Sequence, residues 1–136
     1  MKILIDTNVI LDMLFNRKGC EDAKKVFLKS ETDENRNYIT ASAVTDLFYI
    51  IRKESRDIDK TYGLLGNIFK LVSVLAVTEN DILEAFGEKW KDFEDCVQFT
   101  IAQNNKMDFI ITNNKKDYVN AVMPVLSPQE FLEKVE

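Results

Sequence analysis

The polar side chains of this sequence with the clearest chemical potential stand directly after its first apolar run. Asp6, Thr7 and Asn8 separate the apolar residues 3–5 from the apolar residues 9–11, which predicts a turn from a strand into a helix. An ionised Asp at the end of a buried strand needs a charge partner or a metal ion, because burying an unpaired charge is costly. A helix-capping role for Asp6 or Thr7 accounts for the same residues. The chemical interpretation therefore depends on whether other acids converge on this turn.

Four acids from four separate segments can meet at one edge of a sheet. The set we choose is Asp6, Asp46, Asp95 and Asp117, with Asn8, Thr112 and Asn114 as polar support. Crowded carboxylates raise one another's pKa unless a cation neutralises them, so such a cluster calls for a divalent metal. Ligand sets made of oxygen alone favour Mg²⁺ or Mn²⁺, whose retained waters can serve as nucleophiles. Singly, each acid is explained more simply as a turn residue, a helix N-terminal charge or a solvated surface group. Only their convergence favours a site.

The composition excludes several other kinds of chemistry. Histidine is absent, which removes the commonest general base, the usual partner of a Ser or Cys nucleophile and the commonest zinc ligand. The four glycines match neither the phosphate-binding loop of nucleotide hydrolases nor the dinucleotide-binding turn. Carboxylate chemistry is what remains.

The net charge of −5 argues against a nucleic-acid partner, because Lys and Arg bind phosphate backbones and acids repel them. A cation held by clustered acids inverts the charge locally, however, so basic residues elsewhere can still line a phosphate track. The candidate groups are Arg17 with Lys18, then Arg52, Lys53 and Arg56, and Lys115 with Lys116. Each group more commonly marks a solvated face.

Length and cysteine usage bound the molecule further. The 136 residues, of which 46% are hydrophobic, fit a single domain over residues 1–136. No apolar stretch approaches the roughly 20 residues that span a bilayer, and the N-terminus lacks a secretory signal. Cys20 and Cys96 lie far apart in helical patterns, so we interpret them as reduced thiols and the protein as cytoplasmic.

Hydrophobic periodicity predicts alternating strands and helices. Strands are predicted over 2–6, 38–41, 71–77, 109–112 and 123–126, and a polar loop over 31–37. Helices are predicted over 9–15, over 21–29, after a Ser42 cap, over 58–69 after an Asp57 cap, from Thr78, around residues 93–102, and from Ser127 and Pro128. The helix from Thr78 is expected to bury Ile82, Leu83 and Phe86, and the next one to bury Phe93, Val97, Ile101 and Ala102.

Short apolar strands alternating with helices imply a parallel sheet covered on both faces. The predicted fold class is α/β, with three α/β/α layers around a short central parallel sheet. Open sheets of this kind bind ligands beyond the carboxyl ends of their strands, near the point where the strand order reverses. Asp6 and Thr112 are predicted at two such ends, which is where the other chosen acids would have to meet.

Four motifs in order make the chain similar to a known family. Residues 3–11 resemble the opening of a PIN domain, the nuclease fold of the toxin halves of VapBC-type toxin–antitoxin pairs. The resemblance continues through residues 39–46, 92–98 and 110–118, and residues 125–132 resemble the family's ending. The likeness therefore covers essentially the whole chain.

The resemblance implies a metal-dependent ribonuclease that hydrolyses RNA phosphodiester bonds with Mg²⁺ or Mn²⁺. It places Asp6, Asp46, Asp95 and Asp117 on the family's acidic site and Asn8, Thr112 and Asn114 on its supporting positions. It also implies a homodimer and a possible antitoxin partner. Many toxin members carry Glu where this chain has Asp46, so its shorter side chain could reach a metal through water. Asp12, Asp92 and Glu94 remain open as substitutes in the acidic site.

Two other functions stay open at this stage. A phosphohydrolase with Asp6 as covalent nucleophile would need a second acid two residues later, and Asn8 cannot replace it. A catalytically weakened module of the same fold, which binds RNA or protein, is the alternative that the departure at Asp46 keeps open.

Overall fold

The computed structural model describes residues 1–29 and 35–135. Its five strands are β1 (Lys2–Ile5), β2 (Arg36–Thr40), β3 (Ser73–Leu75), β4 (Phe109–Ile111) and β5 (Val125–Leu126). Its α-helices are α1 (Thr7–Leu14), α2 (Cys20–Lys29), α3 (Ala41–Ser55), α4 (Ile58–Leu71), α5 (Glu79–Glu88), α6 (Phe93–Asn104) and α7 (Pro128–Val135). A short 3-10 helix, Lys115–Tyr118, follows β4. Residues 31–34 of the predicted loop lie outside the described residues.

The strands form one parallel sheet in the order β3-β2-β1-β4-β5. β1 lies at the centre, with Leu4 opposite Tyr38 of β2 on one side and opposite Ile110 of β4 on the other. The chain moves outward from β1 through β2 to β3 and then returns to the other side of β1 as β4. The strand order therefore reverses between β1 and β4, which is where such sheets leave a crevice at their carboxyl ends.

Alternating side chains of the central strands supply the cores of two helical layers. Ile3 and Ile5 point to the face covered by α1, α2, α3, α4 and α7, where residues such as Leu47 and Phe131 are buried with them. Leu4 and Ile110 point to the opposite face, where they pack with Phe99 of α6. The predicted three-layer α/β/α arrangement around a parallel sheet is thus confirmed.

Two local predictions were wrong around β2. The strand begins at Arg36, so residues 36 and 37 are strand and not loop, and Ala41 already belongs to α3. Thr40, not Ser42, caps α3: its backbone is still extended and its side chain accepts a hydrogen bond from the Ala43 N–H at 3.3 Å. Thr40 is therefore both the last residue of β2 and the N-cap of α3, because the strand leads into the helix without a loop.

The predicted buried face of α5 was also wrong. Ile82, Leu83 and Phe86 are exposed, with Phe86 70% accessible, while Asp81 and Ala85 are buried. Asp81 occupies the inward position because it completes a capping box with Thr78 and accepts a hydrogen bond from the Asn104 side chain at 2.8 Å. A hydrogen-bonded acid therefore stands where the apolar pattern predicts a hydrophobic residue.

Other sequence predictions are confirmed with small changes of boundary. Asp57 caps α4, Thr78 caps α5, and Pro128 opens α7. In α6, Val97, Ile101 and Ala102 are buried as predicted, whereas Phe93 is 46% exposed. The thiols of Cys20 and Cys96 are both free and buried. Among the described residues, no helix combines the length and the apolar character that crossing a membrane requires.

Candidate active site

Polar groups from both central strands meet at the carboxyl edge of the sheet. Asp6 follows β1 and Thr112 follows β4, and the register of the two strands holds them side by side. The Thr112 hydroxyl donates to Asp6 Oδ2 at 2.8 Å, and the Asp6 N–H donates to the Ile111 carbonyl at 2.9 Å. The edge is therefore closed by hydrogen bonds between the ends of its two central strands.

Asp6 is buried, with 7% of its surface accessible, yet its carboxylate is densely hydrogen-bonded. Its Oδ1 accepts from the Thr7 N–H at 2.8 Å, so Asp6 also caps α1. The other donors are the Gln98 amide to Oδ1 at 3.0 Å, and the Asn8 amide and the Tyr118 hydroxyl to Oδ2, both at 3.3 Å. The same carboxylate thus caps α1 and lies at the carboxyl edge of the sheet where the candidate site is predicted.

Three further carboxylates form a compact group beside Asp6. One oxygen each of Asp92, Asp95 and Asp117 lies within 4.8 Å of the other two, and Asp95 and Asp117 are half-buried. Asp92 is the N-cap of α6 and accepts from the Asp95 N–H at 3.0 Å, while Asp117 comes from the 3-10 helix after β4. We call these three residues the acidic trio. Its three carboxylates are the hard oxygen donors that Mg²⁺ and Mn²⁺ prefer.

The charge of this group shows in the titration of Asp95. Burial first, and then the negative charges of Asp6 and Asp92, raise the pKa of the Asp95 carboxyl to about 7, although the hydrogen bond of Tyr118 acts to lower it. Crowded acids of this kind favour proton or cation uptake, since either relieves the repulsion. The trio therefore fits a divalent cation for two reasons: its donors are carboxylate oxygens, and its negative charges repel one another without a cation.

Tyr118 links Asp6 to the trio. Its buried hydroxyl lies 3.3 Å from Asp6 Oδ2 and 3.2 Å from Asp95 Oδ1, and it accepts from the Gln98 amide at 3.0 Å. A hydroxyl carries one proton, so Tyr118 can donate to one carboxylate fully or to both weakly. Burial and the two carboxylates raise the pKa of Tyr118, which keeps the hydroxyl protonated as a donor.

Asp46 does not join the trio. It lies on α3 against Glu94, and the pKa of Glu94 is raised to about 7. The leading cause is the hydrogen bond between the two carboxyls, followed by burial and by the charges of Asp46, Asp92 and Asp95. Glu94 directly precedes Asp95, so the pair stands next to the trio. Of the substitutes left open in the sequence, Asp92 belongs to the trio and Glu94 to this second carboxyl pair.

The supporting residues Asn8, Thr112 and Asn114 form a hydrogen-bonded network that includes Asp6. The Asn8 side chain donates to Asp6 Oδ2 and to the Thr112 hydroxyl, and its carbonyl oxygen accepts from the Asn113 N–H at 3.1 Å. Asn113 in turn donates to Asp12 at 2.6 Å. Asn114 contributes its backbone N–H to the Thr112 hydroxyl at 3.0 Å, whereas its side chain makes no capping hydrogen bond.

Sequence reasoning assigned no role to Gln98 or Tyr118. Gln98 lies three residues after Asp95, hence on the same face of α6, and Tyr118 directly follows Asp117. Both are at least 97% buried, which is unusual for a glutamine. A glutamine within the apolar face of α6 was the available signal, because a buried amide requires polar partners.

The chain is similar to known proteins in both sequence and fold. The family described as PIN domain matches residues 2–116, which ends one residue before Asp117. The Ribonuclease VapC1 of Aquifex aeolicus (strain VF5) is 29% identical over 146 aligned positions, covering 98% of this chain and 94% of that protein. VapBC-1 from nontypeable Haemophilus influenzae superposes with a TM-score of 0.75 at 17% identity, over 95% of this chain and 99% of the other. A toxin-antitoxin complex from Klebsiella pneumoniae superposes with a TM-score of 0.67 at 22% identity, over 93% and 97%.

Proposed function

The chain belongs to the PIN domain family, and from this premise we propose that it is a divalent-metal-dependent ribonuclease of the VapC toxin type. The proposal follows the likeness to the Ribonuclease VapC1 of Aquifex aeolicus, which extends over nearly the full length of both chains. The observation that carries it is the acidic trio, which lies beside Asp6 where the strand order of the sheet reverses. That is where open parallel sheets bind their ligands.

The acidic trio is the proposed place for Mg²⁺ or Mn²⁺, with Asp95 at its centre. We retain Asp6, Asp46, Asp95 and Asp117 as the proposed catalytic acids and add Asp92, whose carboxylate oxygen lies with those of Asp95 and Asp117. A bound cation would acidify a water and stabilise negative charge on the phosphate and the leaving oxygen. Such chemistry suits a chain without histidine, because the commonest general base is absent.

The protein's own side chains hold this arrangement in place. Asp6 is fixed by five donors, and the Tyr118 hydroxyl ties it to Asp95. Glu94, whose pKa of about 7 leaves it partly protonated near neutrality, can give or take a proton beside the trio. Asn8 and Thr112 orient the inner carboxylate through direct hydrogen bonds, which makes them positioning residues.

The proposed partners are an RNA substrate, a second copy of the chain and an antitoxin protein. The antitoxin is proposed because chains in the toxin-antitoxin complex from Klebsiella pneumoniae share this fold. A catalytically weakened module that binds RNA or protein is the second candidate. It is favoured by one observation: Asp46 is hydrogen-bonded to Glu94 and does not join the trio.

Cleavage of single-stranded RNA tests the proposal. We expect the protein to cut RNA in Mg²⁺ or Mn²⁺, to stop in excess EDTA and to resume when metal is restored. Asp95→Asn should abolish cleavage, whereas Asp59→Asn, at an exposed acid on α4, should leave the rate unchanged. Cleavage that persists in EDTA would exclude the metal mechanism, and metal binding without any cleavage would favour the weakened module.

A further inference from the structure

A cleft of about 590 Å³ opens directly beside the acidic trio. It is lined by Trp90, Lys91, Asp92, Lys116, Asp117, Val119 and Asn120. Asp92 and Asp117 belong to the trio, so the cleft and the candidate active site share a wall. A ligand in the cleft would therefore lie next to any group that reacts at the trio.

Two lysines at this cleft are available for an anion. Lys91 and Lys116 are exposed, and neither forms an ion pair with the part of the chain that the structure describes. Lys115, by contrast, is held by Glu130 at 2.8 Å. A cation on the trio would compensate the Asp92 and Asp117 charges, which would leave the cleft locally basic despite the acidic chain.

One aromatic side chain, Trp90, lines the cleft and is held by contacts with neighbouring rings. Trp90 is half-buried; its ring stacks on Phe99 at 5.1 Å between centroids, and Tyr118 meets it edge-on at 6.2 Å. Phe99 thus supports the indole ring, and Trp90 also lines the cleft. Bases of single-stranded nucleic acids stack on such fixed aromatic platforms whatever their sequence.

We propose that this cleft binds one nucleotide of a single-stranded RNA next to the phosphate that is cut, with its base against Trp90 and its backbone against Lys91 and Lys116. The inference deepens the proposed function and rests on it. A second cleft, lined by Asn8 among others, has Lys18 together with the acids Asp12 and Asp22 in its lining and no aromatic residue. Its lining lacks both the platform and the paired cations, so the Trp90 cleft is the better nucleotide site.

Binding can be measured without cleavage through the fluorescence of Trp90. Trp90 is the only tryptophan of the sequence, so this signal reports on the cleft. The titration is made in Ca²⁺ in place of Mg²⁺ or Mn²⁺, so that the acidic trio has a cation but no ion that supports cleavage. We expect a single-stranded oligoribonucleotide of about 12 nucleotides to change the Trp90 fluorescence under these conditions. The double variant Lys91→Gln, Lys116→Gln should raise the Kd about 10-fold and lower the slope of log Kd against log salt concentration by roughly 1.4, which is about 0.7 for each lysine. Lys60→Gln, at an exposed lysine of α4, should change neither quantity.

Steady-state cleavage in Mg²⁺ supplies the second readout. The double lysine variant should raise KM about 10-fold with kcat kept within about 2-fold, because it removes binding that substrate and transition state share. An unchanged KM, or RNA binding that leaves the Trp90 fluorescence unmoved, would overturn the nucleotide site while the ribonuclease activity stands. RNA binding that depends on both lysines, together with absent cleavage, would instead support the site and overturn the proposed activity.

Discussion

At the scale of single residues, two neighbouring carboxyl groups have pKa values near neutrality for different reasons. Burial is the leading cause for Asp95, followed by the charges of Asp6 and Asp92. The leading cause for Glu94 is its hydrogen bond with Asp46. The Asp95 charge therefore responds to a cation at the trio, whereas the Glu94 charge responds first to the identity of residue 46.

Substitution of Asp46 separates these two roles. Asp46→Ala removes a carboxylate next to the trio together with its hydrogen bond to Glu94, and we expect the loss of this carboxylate to weaken Mn²⁺ binding and cleavage by roughly 10 to 100-fold. Asp46→Glu should keep or improve metal affinity, because the longer side chain reaches further toward the trio. Calorimetric Mn²⁺ titration and a cleavage time course measure both effects.

Asp59→Ala is the control for the Asp46 variants, because Asp59 is exposed on α4. If Asp46→Ala matched the wild type in both measurements, Asp46 would have no part in the site. Asp92 and Glu94 would then be the next acids to replace.

Individual site residues were predictable to the extent that their position followed from the strand pattern. Asp6, Asn8 and Thr112 stand at strand ends, so their meeting follows from a parallel sheet alone. Gln98 and Tyr118 were missed because their contribution depends on burial between α6 and the 3-10 helix, which single-sequence patterns do not encode. Asp46 was predicted in the acidic site; the structure brings its carboxyl against Glu94, next to the trio, and its role there stays a prediction.

At the scale of elements, the order of strands and helices was predictable and the faces of some helices were not. The α5 helix shows why. It packs on α6 through Ala85, which is buried in one cluster with Cys96, Val97 and Ile101. Apolar periodicity assumes that large residues fill the inward face. A close helix pair requires a small residue there instead, so Leu83 and Phe86 lie on the outside.

A matched pair of substitutions tests the orientation of α5. Phe86→Ser should change the free energy of unfolding of the isolated chain by no more than about 0.5 kcal/mol, because the ring is already exposed. Ala85→Leu should cost about 1 to 3 kcal/mol, because Ala85 is fully buried against α6. Urea unfolding followed by circular dichroism measures both. A large loss for Phe86→Ser would mean that another protein surface covers this face in solution.

At the scale of the whole molecule, the acidic side chains are distributed so that carboxylates repel one another at one edge of the sheet. Binding of a proton or a cation there relieves the repulsion. The net charge of −5 is spread over the chain, but the raised pKa values of Glu94 and Asp95 both lie at the candidate active site. The general expectation that an acidic protein avoids nucleic acid is therefore limited to the metal-free form. Cation binding would link stability, charge and substrate affinity at one place.

The dependence of metal-free stability on pH follows from these shifts. A carboxyl whose pKa is higher in the folded than in the unfolded chain contributes stability below its unfolded pKa and loses it as pH rises through the folded value. For Asp95 and Glu94 that interval runs from the ordinary pKa values of these side chains, 3.8 and 4.5, up to about 7. The Tm without metal should therefore fall between pH 5 and 8, as measured in steps of about one pH unit. Glu130, whose pKa is lowered to about 2 by its hydrogen bonds with Lys115 and Ser127, acts in the opposite sense and only at lower pH.

Asp95→Asn tests this origin directly, because asparagine keeps the oxygen that accepts from Tyr118 and loses the charge. We expect the metal-free variant to melt roughly 2 to 4 °C above the wild type at pH 8 and to match it more closely at pH 5. Added Mg²⁺ should stabilise the wild type and leave the variant almost unchanged, since the variant lacks the central ligand of the trio. Scanning calorimetry at both pH values measures the difference. A variant that melts well below the wild type at pH 8 would show that the Asp95 carboxylate stabilises the fold, which would contradict a cluster held in readiness for a cation.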